Sequence, residues 1–142
     1  MSAPEAGPIR VERVIRAPRE DVFDAWTDPG RLRSWWGPPG VPVSRLDGEL
    51  RPGSAYRIAM VEPTGNERVL EWTFREVDPP RRLVYGWRWL SGGGDDSLVV
   101  VEFTDLGDRT RVSVEHSGLP AASRDVHERG WIGCLDALVG QY

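Results

Sequence analysis

The sequence predicts an α+β domain in which a curved antiparallel sheet wraps around a long C-terminal helix, with two short helices after the first strand. Three observations carry this expectation. Six stretches between Val41 and His116 are separated by turns rich in Gly, Pro and Asp, the pattern of an antiparallel meander. Ahead of them, two short segments with helical spacing are each opened by a proline, Pro18 and Pro29. At the far end, Trp131, Leu135, Leu138 and Tyr142 recur at helical spacing and so share one helix face.

Each element follows from local chemistry. Residues 1–8, rich in Pro, Ala and Gly, are expected to form a disordered tail, and residues 9–142 a single domain. Ile9, Val11 and Ile15 are in phase on a first strand over 9–17. Pro18 then sits at a helix start, and Val22, Phe23 and Trp26 form the apolar face of the first helix. Asp28-Pro29 restarts the chain, Asp28 capping the backbone N–H groups and Pro29 taking the first helical position. The second helix carries Leu32, Trp35 and Trp36 and stops at Gly37-Pro38-Pro39-Gly40. Strands are expected over 41–50, 55–61, 69–77, 83–90, 98–104 and 110–116, and the last helix over 123–142.

Charged residues mark the outer face of each strand. Arg57 outward turns Tyr56, Ile58 and Met60 inward, and Glu71 and Arg75 outward do the same for Leu70, Trp72 and Phe74. Arg88 outward turns Leu83, Tyr85, Trp87 and Trp89 inward; Arg111 and Glu115 outward turn Val112, Val114 and His116 inward. Trp131 of the last helix is placed to meet these rings. So much aromatic surface either fills the core under a strongly curved sheet or lines a cavity for a flat apolar ligand. Plain core is the commoner outcome.

Composition removes several function classes. With 39% hydrophobic and 28% charged residues over 142 positions, this is the make-up of one soluble globular domain. No apolar run approaches the ~20 residues of a membrane span, and the opening residues lack a signal-peptide pattern; a cytoplasmic location and no stable membrane insertion are expected. Cys134 is the single cysteine, which rules out an intrachain disulfide and a thiolate metal cluster. A net charge of -4 without a basic run argues against nucleic acid as partner. All 18 basic residues are arginine, so lysine Schiff-base chemistry and a Walker-type phosphate lysine are impossible.

Several motifs, in order, resemble one family. Arg13-Val14-Ile15-Arg16-Ala17-Pro18 leading to Val22-Phe23-Asp24-Ala25-Trp26 is similar to the opening of the Hsp-90 ATPase activator homologue branch of the START-like, or SRPBCC, superfamily. Asp28-Pro29-Gly30-Arg31-Leu32 through Trp35-Trp36-Gly37-Pro38, Glu76-Val77-Asp78-Pro79-Pro80 and His127-Glu128-Arg129-Gly130-Trp131 also resemble it. The resemblance implies a helix-grip fold with a cavity between the concave sheet and the last helix, where superfamily members hold flat hydrophobic molecules. It implies a small hydrophobic or aromatic ligand that is sequestered, carried or sensed, in secondary metabolism or self-resistance. Two alternatives stand beside this: a polyketide cyclase/aromatase-like or hydrolytic enzyme, and a chaperone-interacting stress-response module. Trp72 departs from the family, standing where relatives tend to have a small residue.

The expected ligand-binding set is Trp35, Trp36, Tyr56, Ile58, Met60, Trp72, Phe74, Tyr85, Trp87, Trp89, His116, His127, Trp131, Cys134 and Leu135. A binding role calls for a cavity of ~300 Å³ or more, walled by Tyr56, Trp72, Trp87 and Trp131; a collapsed interior counts against it. His116 is the one candidate acid–base group, against a plain hydrogen-bonding role at the rim of the sheet. His127 is placed to line the cavity mouth or to pack structurally. It belongs to His-Glu-Arg-Gly-Trp, which is not a His-Glu-x-x-His zinc motif, and neither metal nor cofactor is expected. Arg13, in phase with apolar neighbours, requires a partner if buried, a ligand carboxylate or a structural ion pair, unless it lies at an edge where it reaches water. Gly130 and Gly133 weaken the helix and are expected to permit close approach to the sheet or a ligand. The glycine-rich stretch 91–97 reads as a hairpin tip or cavity lid.

Overall fold

The computed structural model describes residues 7–37, 40–91 and 96–142. β1 (Ile9–Ile15) leads into α1 (Arg19–Thr27) and α2 (Pro29–Trp35). Then come β2 (Val43–Gly48), β3 (Ala55–Val61), β4 (Glu67–Asp78), β5 (Arg82–Trp89), β6 (Ser97–Asp105), β7 (Thr110–Ser117) and α3 (Ala121–Val139). The strands form one seven-stranded antiparallel sheet in the order β1-β7-β6-β5-β4-β3-β2. This is the helix-grip arrangement: a curved sheet, two short helices after the first strand, and a C-terminal helix. Residues 1–6 of the expected tail and residues 92–95 of the expected lid lie outside the described residues.

Asp28 ends α1 and opens α2, its carboxylate accepting the Gly30 N–H at 2.9 Å, with Pro29 at the first helical position. β4 carries an irregularity between Phe74 and Glu76, so the inward series Leu70, Trp72, Phe74 resumes at Val77, opposite Leu83. The register aligns Tyr56, Trp72 and Trp87 in one row across β3, β4 and β5. Burial of these side chains together with Ile58, Phe74, Tyr85, Val99, Phe103, Val112 and Val114 makes the core continuous under the sheet.

α3 packs chiefly on β1, and its Trp131 reaches Trp87 of β5. The Arg13 guanidinium, on the β1 face that meets α3, reaches Asp136 of that helix at 2.9 Å, so its partner is structural. Arg124 donates to the carbonyls of Gly7 and Pro8 and ties the start of the described chain to α3. Trp131, Leu135 and Leu138 are buried, but Tyr142 does not continue their face. The helix has ended at Val139, and the half-exposed Tyr142 hydroxyl instead accepts from Arg31, which also holds Asp21. The Arg31 hydrogen bonds to Asp21, with the Tyr142 hydroxyl beside it as the next cause, hold the Asp21 carboxyl below its ordinary pKa. Gly130 has no atom within 4 Å of where a Cβ would sit, so it does not serve close approach to the sheet. Its missing side chain leaves open space.

Candidate functional site

Because α3 leans on β1 at one edge, it stands off from β4 and β5, and the gap is bridged by indoles. Trp131 lies 5.4 Å from Trp87 and 5.3 Å from Trp36, ring centre to ring centre. A cavity of about 90 Å³ remains, open on one side. Its walls are Trp36, Met60, Leu70, Trp87, Trp131 and Cys134; Arg68, Trp89, Val126, His127 and Gly130 complete the lining.

Of the residues singled out in the sequence, Trp36, Met60, Trp87, Trp89, His127, Trp131 and Cys134 are therefore brought together. Trp35, Tyr56, Ile58, Trp72, Phe74, Tyr85, His116 and Leu135 are not part of the lining. They are buried in the packed interior. Trp72 is the physical reason. It stacks on Tyr85 at 4.4 Å and 21° and meets the edge of Trp36 at 4.9 Å and 89°, so the centre of the concave face is full. The interior is thus far more closed than a drug-sized ligand requires (~300 Å³ or more), and neither Tyr56 nor Trp72 walls the cavity.

Two histidine junctions stand behind and beside it. Trp131 Nε1–H donates to His116 Nδ1 at 2.9 Å, which fixes the ring proton on Nε2; that nitrogen contacts Ser97 Oγ at 2.8 Å. Burial, with the neighbouring His127 as a lesser cause, lowers the His116 pKa to about 3. A neutral imidazole with both nitrogens engaged holds neither a free lone pair nor an available proton. Its geometry is that of a hydrogen-bond junction positioning Trp131, rather than of an acid–base group. His127 repeats the scheme at the mouth: Nε2 accepts from Trp89 Nε1 at 3.0 Å, and Nδ1 donates to the Ser123 carbonyl at 2.8 Å. Burial also pushes the Cys134 thiol up to about 12, leaving no thiolate nucleophile. Among the described residues, no three His, Cys, Asp or Glu side chains converge as metal ligands, and no helix is long and apolar enough to cross a membrane.

Arg68, Leu70 and Val126 also line the cavity, although the sequence reading did not single them out for it. Arg68 was legible in principle. It pairs with Met60 and is two residues before Leu70, which places it on the inward face of β4. Starting that strand at Val69 hid it. Val126, one turn before Gly130 on α3, carried no distinguishing signal.

No curated protein matches the chain. Among solved structures, it is similar to the protein CV1439 from Chromobacterium violaceum, with a TM-score of 0.88 and 27% identity over 95% of this chain and 96% of that one. CalU16 from Micromonospora echinospora superposes with a TM-score of 0.73 and 27% identity over 92% of this chain and 73% of that one. DynU16, a protein of the dynemicin biosynthetic locus, shares the fold with a TM-score of 0.76 and 24% identity, over 94% of this chain and 46% of that one. The family model described as "Activator of Hsp90 ATPase homolog 1-like protein" matches residues 16–140, nearly the whole fold. The chain belongs to the Activator of Hsp90 ATPase homolog 1-like family.

Proposed function

We propose that this protein binds a small apolar or aromatic molecule, inserting one flat group between β4–β5 and α3. The observation that carries the reading is the indole-lined cavity itself, which is mostly apolar and open at one side. Aromatic faces and a methionine supply van der Waals contact without fixing a reaction geometry. A closed cavity of ~150 Å³ accepts benzene, so a void of about 90 Å³ takes in a ring only if its rim yields. The rim is the least buried part: Trp89 is half-buried, and Arg68 and Val126 are exposed. Holding such a molecule for sequestration, transport or sensing requires no catalytic group. The likeness in fold to a protein of the dynemicin biosynthetic locus supports a place in secondary metabolism or self-resistance.

The test is a titration with toluene and naphthalene, followed through the indole N–H resonances of the seven tryptophans. Saturable shifts confined to Trp36, Trp87, Trp89 and Trp131 are expected, with Trp26 unmoved. Absence of saturation, or shifts spread evenly over all the indoles, would sink the reading.

A further inference from the structure

The cavity lining is mostly apolar, and Arg68, at its mouth, is the single charged residue in it. Its guanidinium lies 4.2 Å from the centre of the Trp89 ring. The ring is fixed in turn, because its N–H is bonded to His127 and its edge meets Trp87 at 5.9 Å. A guanidinium resting on an aromatic face spends its flat side there and keeps its in-plane N–H fork available. The one carboxylate near that fork among the described residues is Glu62, at a long 3.9 Å, with both side chains partly exposed. So weak a contact leaves the fork to water and open to another carboxylate. His127 cannot share the task, since its lone N–H is already given to the Ser123 carbonyl.

We infer that the ligand is an organic carboxylate, with its flat apolar group between Trp36, Trp87 and Trp131 and its carboxylate forked by Arg68. This rests on the cavity being the binding site and names the chemical class it selects. The charge stays at the mouth, where water still solvates it, while the ring is desolvated inside. An anion is thereby bound without the large penalty of burying it. Register puts Arg68 opposite Met60 and in line with Leu70 and Trp72. The cation therefore sits at the outer end of the same inward row that builds the cavity wall.

Phenylacetate and its neutral isostere phenylacetamide separate the two claims, read by the same indole resonances, with toluene alongside. The acid should bind roughly tenfold more tightly than the amide at low salt, the effect of one charge-assisted hydrogen-bonded pair. That preference should shrink as salt is raised. Arg68→Gln should abolish the preference, acid and amide then binding alike in that variant, and Arg45→Gln, on β2 two strands away and outside the lining, should preserve it. Glu62→Gln, which removes the competing carboxylate, should strengthen the acid alone. If toluene saturates the cavity indoles but acid and amide bind equally, or if Arg68→Gln keeps the preference, the carboxylate inference is overturned and the apolar site stands. If toluene itself fails to bind, both fall.

Discussion

Around Trp72 the concave face is filled ring against ring. Tyr56 and Trp72 are register partners on β3 and β4 and stack at 6.4 Å and 27°. Trp72 and Trp87 are partners on β4 and β5 and stack at 6.4 Å and 28°. Around Trp131, a few ångströms along, the same residue types leave a hole. There the rings come from elements whose separation the sheet does not control, because α3 is positioned by its contact with β1. Aromatic composition therefore does not distinguish core from cavity. Rings delivered by adjacent strands close on one another, whereas rings delivered across a helix–sheet gap close only if a side chain fills the space, and at Gly130 none does.

The comparison is broken most severely by emptying the filled side. Trp72→Ala removes a fully buried indole that touches Trp36, Tyr56, Tyr85 and Trp87. Loss of ~3–5 kcal/mol in urea unfolding is expected. Trp89→Ala, at the half-buried mouth, should cost less than half as much. Equal losses would mean that the two sides are packed alike.

His116 joins the two sides, and its effect is the next largest. Its pKa is about 3 in the folded protein against an ordinary 6.5, so below pH 6.5 the unfolded chain takes up a proton that the folded chain refuses. The stabilisation is complete above pH 6.5 and is lost as pH falls toward 3, at up to ~1.4 kcal/mol per pH unit. His116→Gln should lose ~2 kcal/mol near pH 7.5, since Trp131 and Ser97 lose a well-placed partner. It should also flatten the acid slope by about one proton relative to the parent. Urea midpoints at pH 7.5, 5.5 and 4.5 decide this; parallel slopes would show that His116 already titrates normally.

Much of this arrangement could be read from the sequence. Alternation gave the inward residues of β3, β4, β5 and β7, and Asp28-Pro29 marked the joint between the helices. The site was less legible. Periodicity tells which way Trp72 and Trp131 point but not how far their elements stand apart, and that distance decides between packing and a void. The aromatic face was therefore read as one wall, although only part of it borders the cavity. Arg68 was lost through a strand boundary two residues late. Gly130 stood out for close approach to the sheet or a ligand; the sheet is not within reach of it, and it borders the cavity instead. Tyr142 kept the helical period after the helix itself had stopped at Val139.

A finer contrast lies in two buried tyrosines of the filled side. Tyr56 donates its hydroxyl to the Thr27 carbonyl at 2.6 Å, whereas the Tyr85 hydroxyl is buried without a partner. Tyr56→Phe should cost ~1 kcal/mol, and Tyr85→Phe should be neutral or stabilising, because it removes a desolvated polar group that gains nothing. Thermal unfolding of the pair resolves the difference. A loss at Tyr85 as large as that at Tyr56 would mean that its hydroxyl has found a partner, such as the adjacent Trp26 or Cys134.

The smallest effect sharpens the comparison most, because it acts on the hole itself. A Cβ at Gly130 meets nothing within 4 Å, so alanine enters open space with no neighbour displaced. Replacing a mid-helix glycine should stabilise α3 by up to ~1 kcal/mol. The same methyl group extends into the lining of a cavity of only about 90 Å³, so toluene should bind more weakly as the protein becomes more stable. Stability and affinity then move in opposite directions. A variant that gains stability with unchanged toluene binding would place the ligand away from Gly130. One that loses stability would show that α3 stands closer to the sheet than the gap between Trp131 and Trp87 implies.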